Sequence, residues 1–189
     1  MVGTGGDNLG TLNISTAVSF VLSGTGISVA KHGNYAASSK SGAANVLKAL
    51  SVNIDCEINT VSKCLEEIGI CFLFAPKHHA AMKYVGKIRQ ELGIRTIFNL
   101  LGPLSNPAFV KKQLLGVYNK SLIIPFAESL RTLGSTNAWI VHGSDGLDEV
   151  SITGETYCAE LENGSINEFS IMPSLSLIHI SEPTRRTII

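Results

Sequence analysis

Charge is scarce in this sequence. Only 16% of its 189 residues are Asp, Glu, Lys or Arg, against about 25% in an ordinary soluble domain, and fifteen basic residues cancel fifteen acidic ones. Disorder needs high polarity and high net charge, so it is excluded as the general state of the chain. A formal net charge of +0 also excludes a general electrostatic pull toward nucleic acid or anionic lipid. Any anion must be held by local chemistry. Aromatics make up only 6% of a chain that is 44% hydrophobic, so the core is expected to be aliphatic. Long apolar runs are missing. Ser, Thr and Gly interrupt every run well short of about 18 residues, which excludes a helical membrane span. The four cysteines, Cys56, Cys64, Cys71 and Cys158, show no C-x-x-C spacing. That excludes a zinc ribbon and a thioredoxin motif and leaves reduced thiols of an intracellular protein as the expectation. Met1 to Gly5 carries neither a basic stretch nor an apolar one, so it does not read as a signal peptide.

What is present is an alternation of apolar strands and amphipathic helices. Ser15 to Leu22 reads as a helix, with Ser15 and Thr16 as cap candidates. A β-rich run, Ile27 to Ala30, leads into a polar loop, Lys31 to Ser39. Helices are expected over Ala43–Leu50 and Thr60–Ile68. The unbroken apolar run Ile70–Phe74 has the signature of a buried parallel strand. Pro76 opens a long helix through Leu92. Leu114–Tyr118 and Ala138–His142 read as strands either side of a helix over Leu122–Leu133. Glu155–Glu162 and Ile166–Ile171 flank Asn163-Gly164, a hairpin signal. The pattern predicts an α/β fold with a mostly parallel central sheet flanked by helices. Residues 174–189 lack caps and sustained periodicity. They resemble translated adapter sequence and are read as a non-native tail.

Four segments carry candidate chemistry. Gly3-Thr4-Gly5-Gly6-Asp7 has the glycine density of a backbone nest around phosphate, although it fits neither the G-x-G-x-x-G nor the P-loop spacing. Only Met1 and Val2 precede it, so the strand that should lead into it is read as cut. Asn13-Ile14-Ser15-Thr16 offers side-chain oxygens and helix amides to an anion or a hydrated cation, or is an ordinary cap. Lys31-His32-Gly33-Asn34 and Ser38-Ser39-Lys40-Ser41-Gly42 follow a strand and precede a helix, where open α/β sheets bind ligands. A lysine, an imidazole and a row of hydroxyls there suit a polyphosphate. Asp145-Gly146-Leu147-Asp148-Glu149 follows a strand, and its adjacent carboxylates suit Mg²⁺, which takes a few carboxylates plus substrate phosphates. His78 and His79 open a helix bearing Arg89. Neighbouring side chains on a helix diverge, so a paired metal-ligand role is disfavoured. Together these turns describe a site for a magnesium polyphosphate substrate.

The same residues carry a family resemblance. Gly3-Thr4-Gly5-Gly6-Asp7, Asn13 to Thr16, Lys31 to Asn34 with Ala36-Ala37-Ser38-Ser39, Arg95 to Leu104 with Asn106-Pro107-Ala108, and Val141-His142-Gly143 leading to Asp148-Glu149 occur in the order of the signature loops of the anthranilate phosphoribosyltransferases. Over residues 2–173 the chain resembles that family. The resemblance implies a nucleoside phosphorylase/phosphoribosyltransferase-type fold. Residues 1–173 would be part of its larger α/β domain, cut at both ends and carrying helices that belong with the smaller helical domain. It implies transfer of the 5-phosphoribosyl group from phosphoribosyl diphosphate to the amine of anthranilate, with release of diphosphate, in tryptophan biosynthesis.

By the same resemblance Gly3, Gly6, Asp7, Thr11, Asn13, Ile14, Ser15, Thr16 and Lys31, His32, Gly33, Asn34, Tyr35, Ala36, Ala37, Ser38 and Ser39 line the diphosphate–sugar site. Ser15, Asp148 and Glu149 would hold Mg²⁺. Gly3, Asn34 and Arg89 would meet anthranilate, with Arg89 facing its carboxylate and His32 and Pro103 lining the path. Lys31, Asp148 and Glu149 would carry catalysis. The family usually has Arg where this chain has Tyr35, so one fixed positive charge near the phosphates is absent. The implied setting is cytoplasmic, with small-molecule substrates, no nucleic acid or membrane partner, and a parent homodimer formed through the helical domain. The fragment alone is expected to be weakly active or inactive. Two other readings stand beside it: a pyrimidine-nucleoside phosphorylase, which shares fold and phosphate logic, and a non-catalytic phosphate-binding remnant.

Overall fold

The computed structural model describes residues 1–5, 12–36, 42–92, 94 and 96–175. Two sheets share the work. The larger runs in the order β1 (Val2–Gly3), β4 (Lys112–Gly116), β5 (Asn137–Gly143), β6 (Thr156–Glu162), β7 (Ser165–Ile171). The smaller pairs β2 (Val29–Gly33) with β3 (Ile70–Phe74). Pairings β1–β4, β4–β5 and β2–β3 are parallel, and β5–β6 and β6–β7 are antiparallel. The expected α/β architecture is therefore present, with the antiparallel part built by the Asn163-Gly164 hairpin. Asn163 sits at φ 48° and Gly164 at φ 85°, the left-handed pair that a two-residue hairpin turn requires.

The helices are α1 (Ile14–Gly24), α2 (Ala43–Ala49), α3 (Ile58–Ile68), α4 (Ala75–His78), α5 (Lys83–Leu92), α6 (Phe98–Leu101) and α7 (Ile123–Thr132). The main core lies between α7 and β4–β6. There Phe126, Ala127 and Leu130 pack on Leu115, Ile140, Ala159 and Leu161. A second core seats α2 on β3 through Ala44, Leu47, Ile54 and Phe74. A third seats α3 on the other side through Val61, Cys71 and Leu73. All four cysteines are free, and no described helix is long and apolar enough to cross a membrane.

Three local expectations change. Lys31 and His32 do not lie in a loop. They are the third and fourth residues of β2, paired with Phe72 and Leu73 of β3, and both are buried. A polar pair at a strand's end reads as loop from sequence alone, because strand patterns are recognised by their apolar residues. The helix expected from Pro76 to Leu92 is broken. α4 ends at His78, His79 leaves helical geometry at φ −120° and ψ 62°, and a 3₁₀ turn over Ala80–Met82 leads into α5. The strand before the glycine segment is not wholly absent either. Val2 and Gly3 pair with Leu115 and Gly116, and the Thr4 N–H donates to the Gly116 carbonyl at 2.9 Å.

Candidate functional site

The C-terminal ends of β1 and β2 and the segments that follow β3, β4 and β5 open onto one cavity of about 1140 Å³. This is the edge at which open α/β sheets bind ligands. Its wall takes a different chemistry from each strand: glycine amides from the Gly3–Gly5 turn, a lysine and an imidazole from β2, and the acid pair from the loop after β5.

Lys31 is the central cation. Its Nζ donates to Ser15 Oγ at 3.0 Å, which ties β2 to the first turn of α1. Burial pushes its pKa down to about 8, while the Glu149 carboxylate acts in the opposite direction. Asp148 and Glu149 are themselves 8% and 7% exposed, so ammonium and carboxylates share a partly desolvated space. Their interactions are stronger there than in bulk water.

Asp148 has a fitted seat. The Gly5 N–H donates to its Oδ2 at 2.6 Å. Gly3 and Gly116 are partners across β1 and β4. A Cβ on Gly3 would lie 2.4 Å from Asp148 Oδ2, and one on Gly116 would lie 1.5 Å from the Asp148 carbonyl oxygen. Neither glycine has a positive φ. Their requirement is room: two facing glycines open the slot that Asp148 fills. The Gly116 half of this slot carries no sequence signal, because it depends on a contact 32 positions away along the chain.

The opposite wall is built around His32. Its Nε2 lies 3.1 Å from Nε2 of His79, with the rings edge to face at 5.0 Å. Burial, then the His79 ring, lowers the His32 pKa to about 4, while a hydrogen bond to the Gly102 backbone works the other way. The break after α4 is what brings His79 here. Both His78 and His79 line the cavity, but among the described residues no group of three or more His, Cys, Asp or Glu could hold a metal.

Asn34, Tyr35 and Ala36 continue the wall beyond β2, and Pro103 closes it from the 3₁₀ turn Gly102–Leu104. Tyr35 sits edge to face on Phe74 at 5.3 Å. Asn45, in α2, accepts from the Ala36 N–H at 3.2 Å and the Gly42 N–H at 2.9 Å. It pins both ends of the segment between them. A Cβ at Gly42 would lie 2.4 Å from the Ala36 nitrogen, so the chain crosses itself there. Asn45 did not stand out in the sequence, and His79 did so only as a disfavoured metal ligand.

Of the expected site residues, Gly3, Asn13, Ile14, Ser15, Lys31, His32, Gly33, Asn34, Tyr35, Ala36, Pro103, Asp148 and Glu149 all line the cavity. Thr16 does not. It is buried, and its hydroxyl donates to Asn13 Oδ1 at 2.5 Å, so it serves the start of α1. Gly6, Asp7, Thr11, Ala37, Ser38 and Ser39 lie outside the described residues. Arg89 is carried by α5, and its side chain lies outside the description.

The donor set fits Mg²⁺. Two consecutive buried carboxylates and the Ser15 hydroxyl line one cavity, and all are hard oxygen donors. They form no closed cage, and Mg²⁺ takes none: it keeps waters and completes its shell with substrate phosphates.

The fold and this edge belong to a recognised class. The chain matches the model of the glycosyl transferase family, a/b domain, over residues 1–182, and it belongs to that family. It is 61% identical over 173 residues to the anthranilate phosphoribosyltransferase of Xanthobacter autotrophicus, a match that covers 92% of this chain and 50% of that protein. It is 55% identical over 183 residues to the enzyme of the same name from Bradyrhizobium diazoefficiens, covering 97% of this chain and 54% of the other. Among solved structures, anthranilate phosphoribosyltransferase from Thermus thermophilus superposes with a TM-score of 0.85 at 41% identity, over 95% of this chain and 54% of that one. The Saccharomyces cerevisiae enzyme in complex with PRPP and Mg superposes with a TM-score of 0.84 at 40% identity, over 92% and 48%. The chain thus spans about half the length of the curated relatives it matches.

Proposed function

We propose that the protein carrying this segment transfers the 5-phosphoribosyl group of phosphoribosyl diphosphate to the amine of anthranilate and releases diphosphate. The observation that carries the reading is the meeting of Lys31, Ser15, the Gly5 N–H and the acid pair on one cavity at the strand ends. The relatives' shared name supports it, as do the yeast complexes, one with PRPP and Mg and another with 4-fluoroanthranilate.

The chemistry follows from charge. An aryl amine is already neutral with an available lone pair, so no positioned base has to deprotonate it before attack. The difficult event is departure of diphosphate as positive charge grows on the sugar. Lys31, buried on the cavity, would meet that leaving charge in surroundings dry enough to strengthen its pull. The N–H groups of Thr4 and Gly5 go to the Gly116 carbonyl and to Asp148, so the described part of the glycine turn serves to seat the acid pair. Asp148, Glu149 and Ser15 would hold Mg²⁺, which when bound supplies further positive charge beside the diphosphate. His32, neutral at pH 7, and Asn34 and Pro103 shape the space for the flat acceptor. Positioning of the two substrates supplies the rest. The setting proposed for this chemistry is the cytoplasm.

The test uses the full-length chain with both substrates and Mg²⁺, following loss of anthranilate fluorescence. Donor-dependent consumption that stops on chelation is the expected result. Phosphorolysis of thymidine or uridine in its place would transfer the site to the nucleoside phosphorylases. Tight binding of the donor without turnover would make it a binding remnant.

A further inference from the structure

The acid pair sits on the loop between β5 and β6, and no strand or helix of its own supports it. Adjacent buried carboxylates repel each other and favour water, so a slack loop of this length would swing them out of the cavity. Something must hold the loop.

We propose that Asp145, through Ser151 and Thr153, is the positioning residue that sets Asp148 and Glu149 toward the cavity. This rests on the reaction proposed above. Asp145 lies outside the cavity lining and its side chain turns the other way, back across its own loop. Its Oδ2 accepts from Ser151 Oγ and from Thr153 Oγ1, each at 2.6 Å. Its Oδ1 accepts from the Leu147 N–H at 3.2 Å. Ser151 is buried and passes the tie onward: its Oγ accepts from the N–H groups of Thr153 and Gly154 at 3.1 Å, and its own N–H donates to Thr156 Oγ1 at 2.9 Å. The carboxylate therefore joins the stretch just before the acid pair to the stretch just after it. Only residues 148–150 are left between the two ties.

Both flanks of the strap are built to fit. The Gly143 N–H donates to the Leu147 carbonyl at 2.9 Å, and the Gly146 N–H donates to the Gly143 carbonyl at 2.9 Å. A Cβ on Gly143 would lie 2.4 Å from Asp145 Oδ1, so the glycine makes room for the carboxylate. At the far side Asp148 butts against Gly116. Burial acts to raise the Asp145 pKa, but the Ser151 and Thr153 hydroxyls and the Leu147 N–H outweigh it and hold the carboxyl below its ordinary value. Two hydroxyls on one oxygen and an amide on the other suit an ionised carboxylate. An asparagine does not reproduce it: with its oxygen toward the hydroxyls, its NH₂ meets the Leu147 N–H donor to donor, and the flipped amide has to donate to Ser151 Oγ, which already accepts two N–H groups.

The test is Asp145→Asn in the full-length chain, with Ser151→Ala as the second variant should the first not fold. Metal affinity is read in two ways: the Mg²⁺ concentration for half-maximal turnover, and Mn²⁺ binding by electron paramagnetic resonance with donor present. Misplaced outer partners of metal-holding carboxylates typically weaken metal binding about tenfold or more. A rise of that size in both readouts is expected, with the KM for anthranilate unchanged and the thermal midpoint still above assay temperature. Unchanged metal dependence in a folded variant overturns the inference and leaves the reaction standing. A parent with no turnover overturns the reaction, and the Mn²⁺ titration still decides the strap.

Discussion

At the scale of single residues, the site is set by groups whose surroundings change their ordinary behaviour. His32 is the clearest. Its pKa of about 4 lies below that of an exposed imidazole, near 6.5. Between those two values the unfolded chain binds a proton that the folded chain refuses. Stability therefore rises with pH across that window and is lost as pH falls from about 6.5 toward about 4. Above it His32 adds no slope. His32→Gln in the full-length chain is expected to flatten the fall of the urea midpoint between those pH values, because all other groups are common to both proteins. Parallel curves would show that the ring titrates normally. Lys31 shows the same logic with the opposite use. It is a cation kept in a place that disfavours charge, and so is strongly disposed toward an anionic ligand.

At the scale of elements, a helix holds Ala36 and Gly42 in place beyond β2. Asn45 accepts an N–H from each end of the segment between Ala36 and Gly42, and α2 places it there. Removing a side chain that satisfies two backbone donors costs about 1–3 kcal/mol where the donors are shielded, and less here because the groups are exposed. Asn45→Ala is therefore expected to lower the thermal midpoint slightly while raising the KM for the donor several-fold, with kcat nearly constant. An unchanged KM would show that the donor site does not depend on Asn45.

What the sequence disclosed divides along the same line. The run Ile70–Phe74 and the Asn163-Gly164 turn were legible because their signals are local: a continuous apolar strand, and a residue pair suited to positive φ. The acid pair could be singled out because adjacent carboxylates after a strand suit Mg²⁺, although an ordinary acidic turn has the same pattern; the structure puts both on the cavity. Lys31 and His32 could be picked out as chemistry but not placed on their strand, since nothing nearby marks buried polar residues as paired. The break at His79 was hidden inside an otherwise helical stretch. Asn45 and Gly116 act through contacts made only once the chain has folded, so no spacing announces them.

At the scale of the molecule, a chain with no net charge holds a strongly polar edge between apolar cores that differ in their distance from it. In the core under α7, Leu130 is 1% exposed and does not line the cavity. The core under α2 ends at Phe74, whose ring supports Tyr35 on the cavity wall. Equal damage to the two should therefore have unequal consequences. Leu130→Ala is expected to cost about 2–5 kcal/mol of unfolding free energy while leaving both KM values of the folded enzyme unchanged. Phe74→Ala is expected to cost about 3–5 kcal/mol and also to raise the KM for the donor, because Tyr35 loses its support. Chemical denaturation paired with steady-state kinetics on the same full-length preparations separates the two outcomes. If both variants shifted the donor KM alike, the cores would act as one body, and the cavity would depend on the whole fold rather than on its nearer half.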